Sequence, residues 1–246
     1  FHIVQLDKQP DGSVLRHNIN PEESQVFVLY IDNEQSFDDD NKIVIDGQRI
    51  DAMVARSDTI DMMFKLIERA LDHVNGLQTG YDEKGINKKV FLVVIVDTIA
   101  STTSRQELEQ EWGTDDYPRQ AGQISKGFRK IVRDVNRNNA VLICTNQIRE
   151  NMKSGAAASR RTGPVPVDVE YTTFGGRALR FYASQRIFME NLHRSYRLGE
   201  SQFENGLVIG FSAVKNRIKS PLRHGRMVLF LDMERGGLNN LYSILE

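Results

Sequence analysis

Three apolar runs dominate the hydrophobic pattern of the chain, and each run closes on polar side chains. They are rich in β-branched residues and span Gln25–Glu34, Val90–Ser101 and Ala140–Gln147. Such runs are typical of parallel strands covered on both faces of a sheet, whose carboxyl ends open onto a crevice. The pattern therefore predicts that Glu34, Asp97 and Gln147 lie along one edge of a parallel sheet.

Helical spacing of apolar residues fills the segments between these runs. After a short strand at Ala52–Arg56, Ser57, Asp58 and Thr59 predict the cap of a helix that runs to about Asn75. Two further helices are predicted, a short acidic one at Ser104–Glu111 and a basic amphipathic one at Arg119–Asn138. Alternation of strand and helix favours right-handed crossovers and a mainly parallel sheet.

The pattern changes in the last quarter of the chain. Gln185–Leu192, Leu207–Val214 and Arg226–Asp232 read as strands with no room for helices between them, which predicts an antiparallel meander. The spacing at Phe1–Lys8 resembles the tail of a longer helix. We therefore predict one α/β domain over residues 1–246, with a mainly parallel central sheet flanked by helices that finishes in an antiparallel meander.

Composition narrows the possible classes of protein. The chain is 40% hydrophobic and 26% charged, with a net charge of −1 and a pI near 6.6, so binding to nucleic acid requires a local basic patch. One cysteine excludes a disulfide framework, and the five histidines are scattered without a visible zinc site. No apolar stretch reaches the roughly 18–20 residues of a membrane span. We expect a cytoplasmic protein.

The predicted strand ends carry the residue types that phosphoryl transfer to water requires. Glu34 is a candidate base for the attacking water, and Asp97 is a candidate for holding Mg²⁺ through a metal-bound water. Gln147 is placed to hydrogen-bond a terminal phosphate. The alternative for each residue is a turn position, because Asp and Glu often end strands.

Five co-linear motifs resemble the bacterial RecA family of ATP-dependent DNA recombinases, over nearly the whole chain. They are YIDNEQSFD (Tyr30–Asp38), VIVDTIAS (Val94–Ser101), TNQIR (Thr145–Arg149), GGRALRFYAS (Gly175–Ser184) and VKNRIKSP (Val214–Pro221). The resemblance implies a RecA-type ATPase core. It implies that Glu34 is the catalytic glutamate, that Asp97 is the Walker B aspartate, and that Gln147 couples the γ-phosphate to DNA binding.

The same resemblance assigns three more residues of the nucleotide site. Asp38 matches an acidic residue near the adenine, and Asn41 stands near the place of the family's stacking tyrosine. Lys215 and Arg217 match two cations that reach the phosphates of the neighbouring subunit. Without the resemblance, an ordinary solvated turn is the simpler interpretation of this pair.

The resemblance also identifies two DNA-binding segments. Ile148–Phe174 matches the second DNA-binding loop, and its candidate phosphate contacts are Arg149, Lys153, Arg160 and Arg161. Trp112–Pro118 matches the first loop, and Arg129 and Arg177 are secondary candidates. The alternative for the longer segment is a surface loop without a ligand.

The phosphate-binding Walker A loop, G-x-x-x-x-G-K-[ST], has no match, because the chain contains no Gly-Lys dipeptide. We expect that the chain starts just after this loop, and that the family's N-terminal segment and C-terminal domain lie outside residues 1–246. Natural loss of the loop is the alternative. As it stands, the fragment is expected to bind ATP poorly.

These observations predict a DNA-dependent ATPase that uses ATP and Mg²⁺. It would form helical filaments on single-stranded DNA, pair that strand with homologous double-stranded DNA, and serve recombination and repair. Two alternatives stay open: a hexameric helicase-like ATPase with the same core, and a DNA-binding scaffold that does not hydrolyse ATP.

Overall fold

Strands and helices alternate along the middle of the chain, and strands alone form its last part. The computed structural model describes residues 4–8, 14–18, 24–36, 44–45, 48–49, 52–109, 117–150, 171–176, 178–196, 206–218, 223–230 and 237–238. The strands are β1 (Val4–Lys8), β2 (Val14–Asn18), β3 (Ser24–Asp32), β4 (Val44–Ile45), β5 (Gln48–Arg49), β6 (Met53–Ala55), β7 (Lys89–Asp97), β8 (Ala140–Cys144), β9 (Ile148–Glu150), β10 (Tyr171–Thr173), β11 (Gln185–Tyr196), β12 (Gly206–Asn216), β13 (His224–Phe230) and β14 (Gly237–Leu238). The helices are α1 (Ile60–Glu83), α2 (Arg105–Glu109), α3 (Tyr117–Arg137) and α4 (Ala178–Tyr182), with a 3₁₀ turn at Ile99–Ser101.

Two compact units make up the chain, Phe1–Leu179 and Arg180–Glu246, each with its own four-stranded sheet. The first sheet has the strand order β6-β3-β7-β8, and all of its neighbours are parallel. This arrangement confirms the predicted parallel sheet with helical crossovers. That residues 1–246 form a single incomplete core stays a prediction.

Helices α1 and α3 pack on one face of the parallel sheet. Leu29, Ile31, Val94 and Val96 are almost completely buried, and they lie on the same face because side chains two apart along a strand share a face. The ring of Phe27, also on this face, meets His73 of α1 edge-on at 5.9 Å between centroids. On the opposite face of edge strand β8, Val141 and Ile143 are exposed.

Helix α1 begins where the sequence predicts and ends eight residues later than expected. Thr59 is the N-cap, since its hydroxyl accepts a hydrogen bond from the Met62 amide at 3.2 Å. The helix continues through Gly76 and Gly80 to Glu83. Its last turns are fastened to the sheet by Gln78, whose side chain accepts from the Val90 amide at 2.9 Å.

Close packing of α1 against α3 depends on a glycine. A Cβ atom on Gly127 would lie 2.2 Å from the ring of Phe64, which itself packs edge-on against Phe128 at 5.3 Å. Real Cβ contacts are never this short, so the approach of the two helices requires glycine here. The short helix α2 starts in a capping box in which Ser104 and Glu107 each bond the other's backbone amide, at 3.1 and 3.3 Å.

The second unit contains the predicted antiparallel meander. Its strands follow chain order, β11-β12-β13-β14, and every neighbouring pair is antiparallel. The pairing of β11 with β12 shifts register after Arg186 and again between Asn191 and Ser195. Such irregularities bend a strand and increase its local twist.

The prediction for the beginning of the chain is wrong. Val4–Lys8 is a strand and not the tail of a helix, and it pairs antiparallel with the strand Val14–Asn18. Apolar and polar residues alternate in VQLDK with the period of a strand, a signal that competes with helical spacing over so few residues.

Candidate functional site

The carboxyl ends of β3, β7 and β8 meet at one edge of the parallel sheet. Asp32 pairs with Asp97, and Val96 pairs with Cys144, so the three strands end at the same level. Backbone hydrogen bonds fasten the residues that follow: the Asn33 amide donates to the Asp97 carbonyl at 2.7 Å. The structure therefore places Glu34, Asp97 and Gln147 at the ends of three neighbouring strands, as the sequence predicts.

Asp97 is held from both neighbouring strands. The hydroxyl of Tyr30 on β3 donates to Asp97 Oδ2 at 2.7 Å, and the hydroxyl of Thr145 after β8 donates to Asp97 Oδ1 at 2.6 Å. Burial, then the hydrogen bond to Asp97 and the nearby carboxylates, raise the pKa of Tyr30 far above its usual value. The phenol is therefore a hydrogen-bond donor at any physiological pH.

Glu34 is exposed and is held by hydroxyl groups at the end of β7. Its Oε1 atom accepts from Thr98 Oγ1 at 3.1 Å and from Ser101 Oγ at 3.3 Å. The two hydroxyls lie 3.0 Å apart, because the 3₁₀ turn at Ile99–Ser101 folds the chain back. Both donors are neutral hydroxyl groups, so they place no positive charge beside Glu34.

Asn33, which follows β3, makes hydrogen bonds to residues that follow β6 and β7. Its Nδ2 atom donates to the Thr98 carbonyl at 2.9 Å, and its Oδ1 atom accepts from Ser57 Oγ at 2.5 Å. Ser57 follows β6 and is buried. Because Thr98 in turn bonds Glu34, Asn33 supports the position of the candidate base.

The residues after β8 lead from this edge to the stem of a long segment. Gln147 is exposed, and Asn146 donates to the Phe174 carbonyl at 2.9 Å. Strands β9 and β10 pair antiparallel and bring the two ends of segment 151–170 together. Oδ1 of Asn146 is buried without a hydrogen-bond partner in the described structure.

Several predicted DNA contacts lie outside the described residues. They are Lys153, Arg160, Arg161 and Arg177, together with most of the first loop at Trp112–Pro118; Asp38 and Asn41 of the nucleotide site lie outside as well. Arg149 lies in β9, where it pairs with Thr172, but its side chain is not described. The roles of these residues stay predictions.

Arg129 lies on an exposed face of α3 that is strongly basic. At helical spacing the exposed cations of this face are Lys126, Arg129, Lys130, Arg133 and Arg137. Lys130 pairs with Glu68 of α1 at 2.6 Å. The arrangement offers positive charge to a polyanion, in keeping with the secondary DNA role predicted for Arg129.

Lys215 and Arg217 lie on or just after β12 in the second unit and bond the carboxyl end of α4. Lys215 Nζ donates to the carbonyl of Arg180 and, at 3.2 Å, to that of Phe181. Arg217 Nη2 also donates to the Phe181 carbonyl, at 2.9 Å. Burial, and then the charges of Arg217 and Arg186, lower the pKa of Lys215. Cations at the carboxyl end of a helix are stabilising, so the pair has a structural role besides the predicted one.

The donor set at the sheet edge fits Mg²⁺. Across the described ranges, no three acidic, histidine or cysteine side chains come close enough to hold a metal by themselves. Mg²⁺ keeps several waters and uses one or two carboxylates together with substrate phosphates, so the single carboxylate of Asp97 suits it.

No helix in the described part of the chain is long and apolar enough to cross a membrane.

A separate cleft of about 380 Å³ lies between the start of α1 and α2. Its lining includes charges of both signs, from Asp58, Asp61, Lys65, Arg105 and Glu109. None of the three residues at the strand ends lines this cleft, so it is a different surface from the candidate site.

Sequence reasoning found the acidic residues of this edge and missed the groups that hold them. The missed residues are Tyr30, Asn33, Thr98, Ser101 and Thr145. No signal in the sequence marks Tyr30 and Thr145, because it is the register of the strands in the structure that puts both on the face that carries Asp97. For Ser101, the position depends on the 3₁₀ turn, which has no distinctive sequence.

Comparison with known proteins identifies the family to which the chain belongs. The family model described as the RecA N-terminal domain matches residues 29–234. Protein RecA of Thermotoga neapolitana is 32% identical over 174 residues, which cover 71% of this chain and 45% of that protein. Protein RecA of Borreliella afzelii is 32% identical over 138 residues, or 56% of this chain and 35% of that protein.

A third relative, Protein RecA of Colwellia psychrerythraea, is 31% identical over 154 residues, which cover 63% of this chain and 40% of that protein. The chain thus spans less than half the length of these relatives. The family match nevertheless extends over both sheets and over the motifs at all three strand ends. The chain belongs to the RecA family.

Proposed function

We propose that the chain is the ATP-hydrolysing core of a DNA recombinase that acts with Mg²⁺. The observation that carries this proposal is that β3, β7 and β8 end at the same level of the sheet. Glu34 is also hydrogen-bonded to Thr98, the residue that follows Asp97. Two carboxylates held by neutral donors, beside an exposed amide, suit a site that orients water and binds a metal–phosphate group. Membership of the RecA family supports the same reaction.

In this proposal each residue has a defined task. Glu34 orients the attacking water and accepts its proton, since its side chain is exposed at the end of β3. Asp97 would hold Mg²⁺, which offsets the negative charge of the phosphates when bound. Gln147 would hydrogen-bond the terminal phosphate and, through Asn146 and the β9–β10 stem, transmit its presence to segment 151–170.

The partners follow from the same residues. Single-stranded DNA would be bound by segment 151–170, with Arg129 as a further phosphate contact. Pairing with homologous double-stranded DNA would occur in a helical filament of copies of this chain. Lys215 and Arg217 would then reach the phosphates of a neighbouring copy. Their side chains would leave the carbonyls of α4 and donate to the phosphate instead.

Turnover of ATP by the full-length gene product tests the proposal. Single-stranded DNA should stimulate hydrolysis, and Glu34→Gln should lower the DNA-stimulated rate by at least about a hundredfold while ATP and DNA binding persist. Glu83→Gln, at the exposed end of α1, is the matched control and should hydrolyse ATP normally. DNA binding without any turnover in the unmodified protein would contradict the ATPase and favour a non-hydrolysing scaffold.

A further inference from the structure

Asp97 receives one hydroxyl donor on each of its two carboxylate oxygens. The donors come from different strands and are remote in sequence, 67 residues away for Tyr30 and 48 for Thr145. Both bonds, at 2.7 and 2.6 Å, have the short distances of hydroxyl groups bonded to an ionised carboxylate. This arrangement distinguishes Asp97 from an aspartate that merely ends a strand.

Strand register explains why these three side chains meet. Tyr30 lies opposite Ile95, two residues before the Asp32–Asp97 pair, so its side chain shares the face of Asp97. Thr145 follows Cys144, which lies opposite Val96, and therefore comes beside Asp97 from the other flank. The Thr145 amide also bonds the Val96 carbonyl at 3.0 Å, which fixes the position of its side chain.

The two bonds restrict the carboxylate without neutralising it. A donor on each oxygen, from opposite flanks, opposes rotation of the carboxylate plane about its bond to the chain. Because hydroxyl groups are uncharged, they add no positive charge that would compete with a cation at Asp97. Among the described residues each oxygen accepts one hydrogen bond, so both keep capacity for a water bound to a metal.

Glu34 is held differently, which indicates a different task. Both of its hydroxyl donors bond the same oxygen, Oε1, and the side chain is exposed. The other oxygen has no donor in the described structure, so Glu34 retains freedom to adjust to a water. Asp97 is the fixed member of the two carboxylates.

We propose that Tyr30 and Thr145 are positioning residues for Asp97, fixing its carboxylate in the orientation that binds Mg²⁺ with the nucleotide. The inference rests on the proposed function, because it assigns Asp97 to a metal. It adds two residues that act on the metal site without touching the nucleotide. Hydrogen-bond partners of metal ligands typically contribute about ten- to a hundredfold to metal affinity.

The Mg²⁺ dependence of nucleotide binding by the full-length gene product tests this proposal. The measurement is the polarisation of a fluorescent ATP analogue, titrated with Mg²⁺ and repeated in EDTA. Tyr30→Phe and Thr145→Val should each raise the half-saturating Mg²⁺ concentration about tenfold. Binding of the analogue in EDTA should be unchanged, because both hydroxyls are engaged by Asp97.

Matched variants separate the hydroxyl group from the shape of the side chain. Thr145→Ser keeps the donor and should bind Mg²⁺ with the natural half-saturation, although valine is closer to threonine in shape. Tyr81→Phe removes a phenol that bonds Gln25 at 2.9 Å, and Thr103→Val removes a hydroxyl that bonds the Asp58 carbonyl at 3.1 Å. Both controls should keep the natural Mg²⁺ dependence.

Two other results have distinct meanings. If Asp97→Asn raises the half-saturating Mg²⁺ concentration while Thr145→Val and Tyr30→Phe leave it unchanged, the positioning role is overturned and the metal site stands. If Asp97→Asn also changes nothing, the assignment of Asp97 to the metal fails, and with it this part of the proposed function. The Thr145→Val and Thr145→Ser pair decides the question alone if Tyr30→Phe does not fold.

Discussion

The two units of the chain hold their candidate functional charges in different ways. In the first unit, Glu34 and Asp97 are held by hydroxyl groups that come from other strands and turns. In the second unit, Lys215 and Arg217 are held by backbone carbonyls at the end of α4, in the same unit. In both cases the partner is neutral, so the charge is fixed in place and stays available to a ligand.

The difference lies in what each arrangement requires of the fold. The carboxylates depend on the register of three parallel strands, because a shift of one residue would turn Tyr30 and Thr145 to the other face. The cations need only an antiparallel strand beside a short helix. We therefore expect the positions of Glu34 and Asp97 to be more sensitive to substitutions elsewhere in the protein than the positions of Lys215 and Arg217.

The largest expected effect is on the reactivity of the single cysteine, which lies in β8 of the first unit. Burial raises the pKa of Cys144 to about 12 from an ordinary value of 9.0. At pH 8 this lowers the thiolate fraction, and with it the rate of labelling by a disulfide reagent, on the order of a thousandfold relative to the unfolded chain. The rate is measured in native buffer and in urea.

Labelling of Cys144 also reports on the first unit separately from the second. As urea increases, the rate should rise when the first unit opens, whatever the state of the meander. Because the folded unit prefers the thiol form, its stability should fall as the pH rises from about 9 towards 12. Rapid labelling in native buffer would mean that β8 frays from the sheet edge.

The sequence predicts the positions of the acidic residues well because strand ends are a local property. The apolar runs that became β3, β7 and β8 end within a few residues of Glu34, Asp97 and Gln147. The start of α1 was also predictable, since Thr59 is a local cap. Its end was not, because Gly76 and Gly80 read as breakers although bonds from Gln78 to the sheet hold the helix together.

The groups that hold the carboxylates could not be predicted, for a physical reason. Tyr30 and Thr145 contact Asp97 only because strands far apart in sequence lie in one register, which the pattern of a single strand does not specify. The prediction for Val4–Lys8 was wrong for a related reason. Its local preferences for helix and for strand are both weak, and the pairing with β2 decides for the strand.

The second prediction concerns Asn33, which supports the sheet edge that carries Glu34 and Asp97. Asn33→Ala should lower the free energy of unfolding of the first unit by about 2 kcal/mol, because buried Ser57 and the Thr98 carbonyl each lose a partner. The midpoint in urea, followed by Cys144 labelling, measures this loss. Asn75→Ala on the exposed side of α1 is the control, with a change within about 0.5 kcal/mol.

The loss in Asn33→Ala should be confined to the first unit. Hydrogen exchange of amides in β12 and β13 should stay the same, because their ladder lies wholly within the meander. Equal loss of protection in both sheets would contradict the independence of the two units. A loss as small as that of Asn75→Ala would show that solvent replaces the missing amide.

A smaller effect is expected at the N-cap of α1. Thr59→Ala removes the hydroxyl that accepts from the Met62 amide and should cost about 1 kcal/mol of stability. Thr79→Ala within the same helix should be neutral or stabilising by up to about 0.5 kcal/mol, because alanine has the higher helix propensity. The urea midpoint should therefore fall in Thr59→Ala and stay the same or rise in Thr79→Ala, and equal losses would mean that the N-cap hydrogen bond has no special weight.

The smallest expected effect is the pH dependence that Lys215 gives to the second unit. Burial and the neighbouring cations lower its pKa below the ordinary 10.5, so the folded state binds this proton less tightly than the unfolded state. Between the folded pKa and 10.5 the unfolded chain holds more protons, and stability due to Lys215 should therefore rise with pH. The side chain is only partly buried, so solvent screening keeps the effect small.

The variants Lys215→Met and Lys215→Arg isolate this contribution. Cys144 lowers stability as the pH rises, but it does so equally in the natural chain and in both variants, so its effect cancels when their stabilities are subtracted. The stability of the natural chain relative to either variant, measured from urea midpoints followed in the second unit, should increase between pH 7 and pH 10. Arginine keeps its charge over this range and can still bond the carbonyls of Arg180 and Phe181. Neither variant titrates at position 215 over this range, so the increase should appear against both. An increase seen against methionine alone would mean that Lys215 does not lose its proton there, and the view that Lys215 is held at a cost to its charge would be wrong.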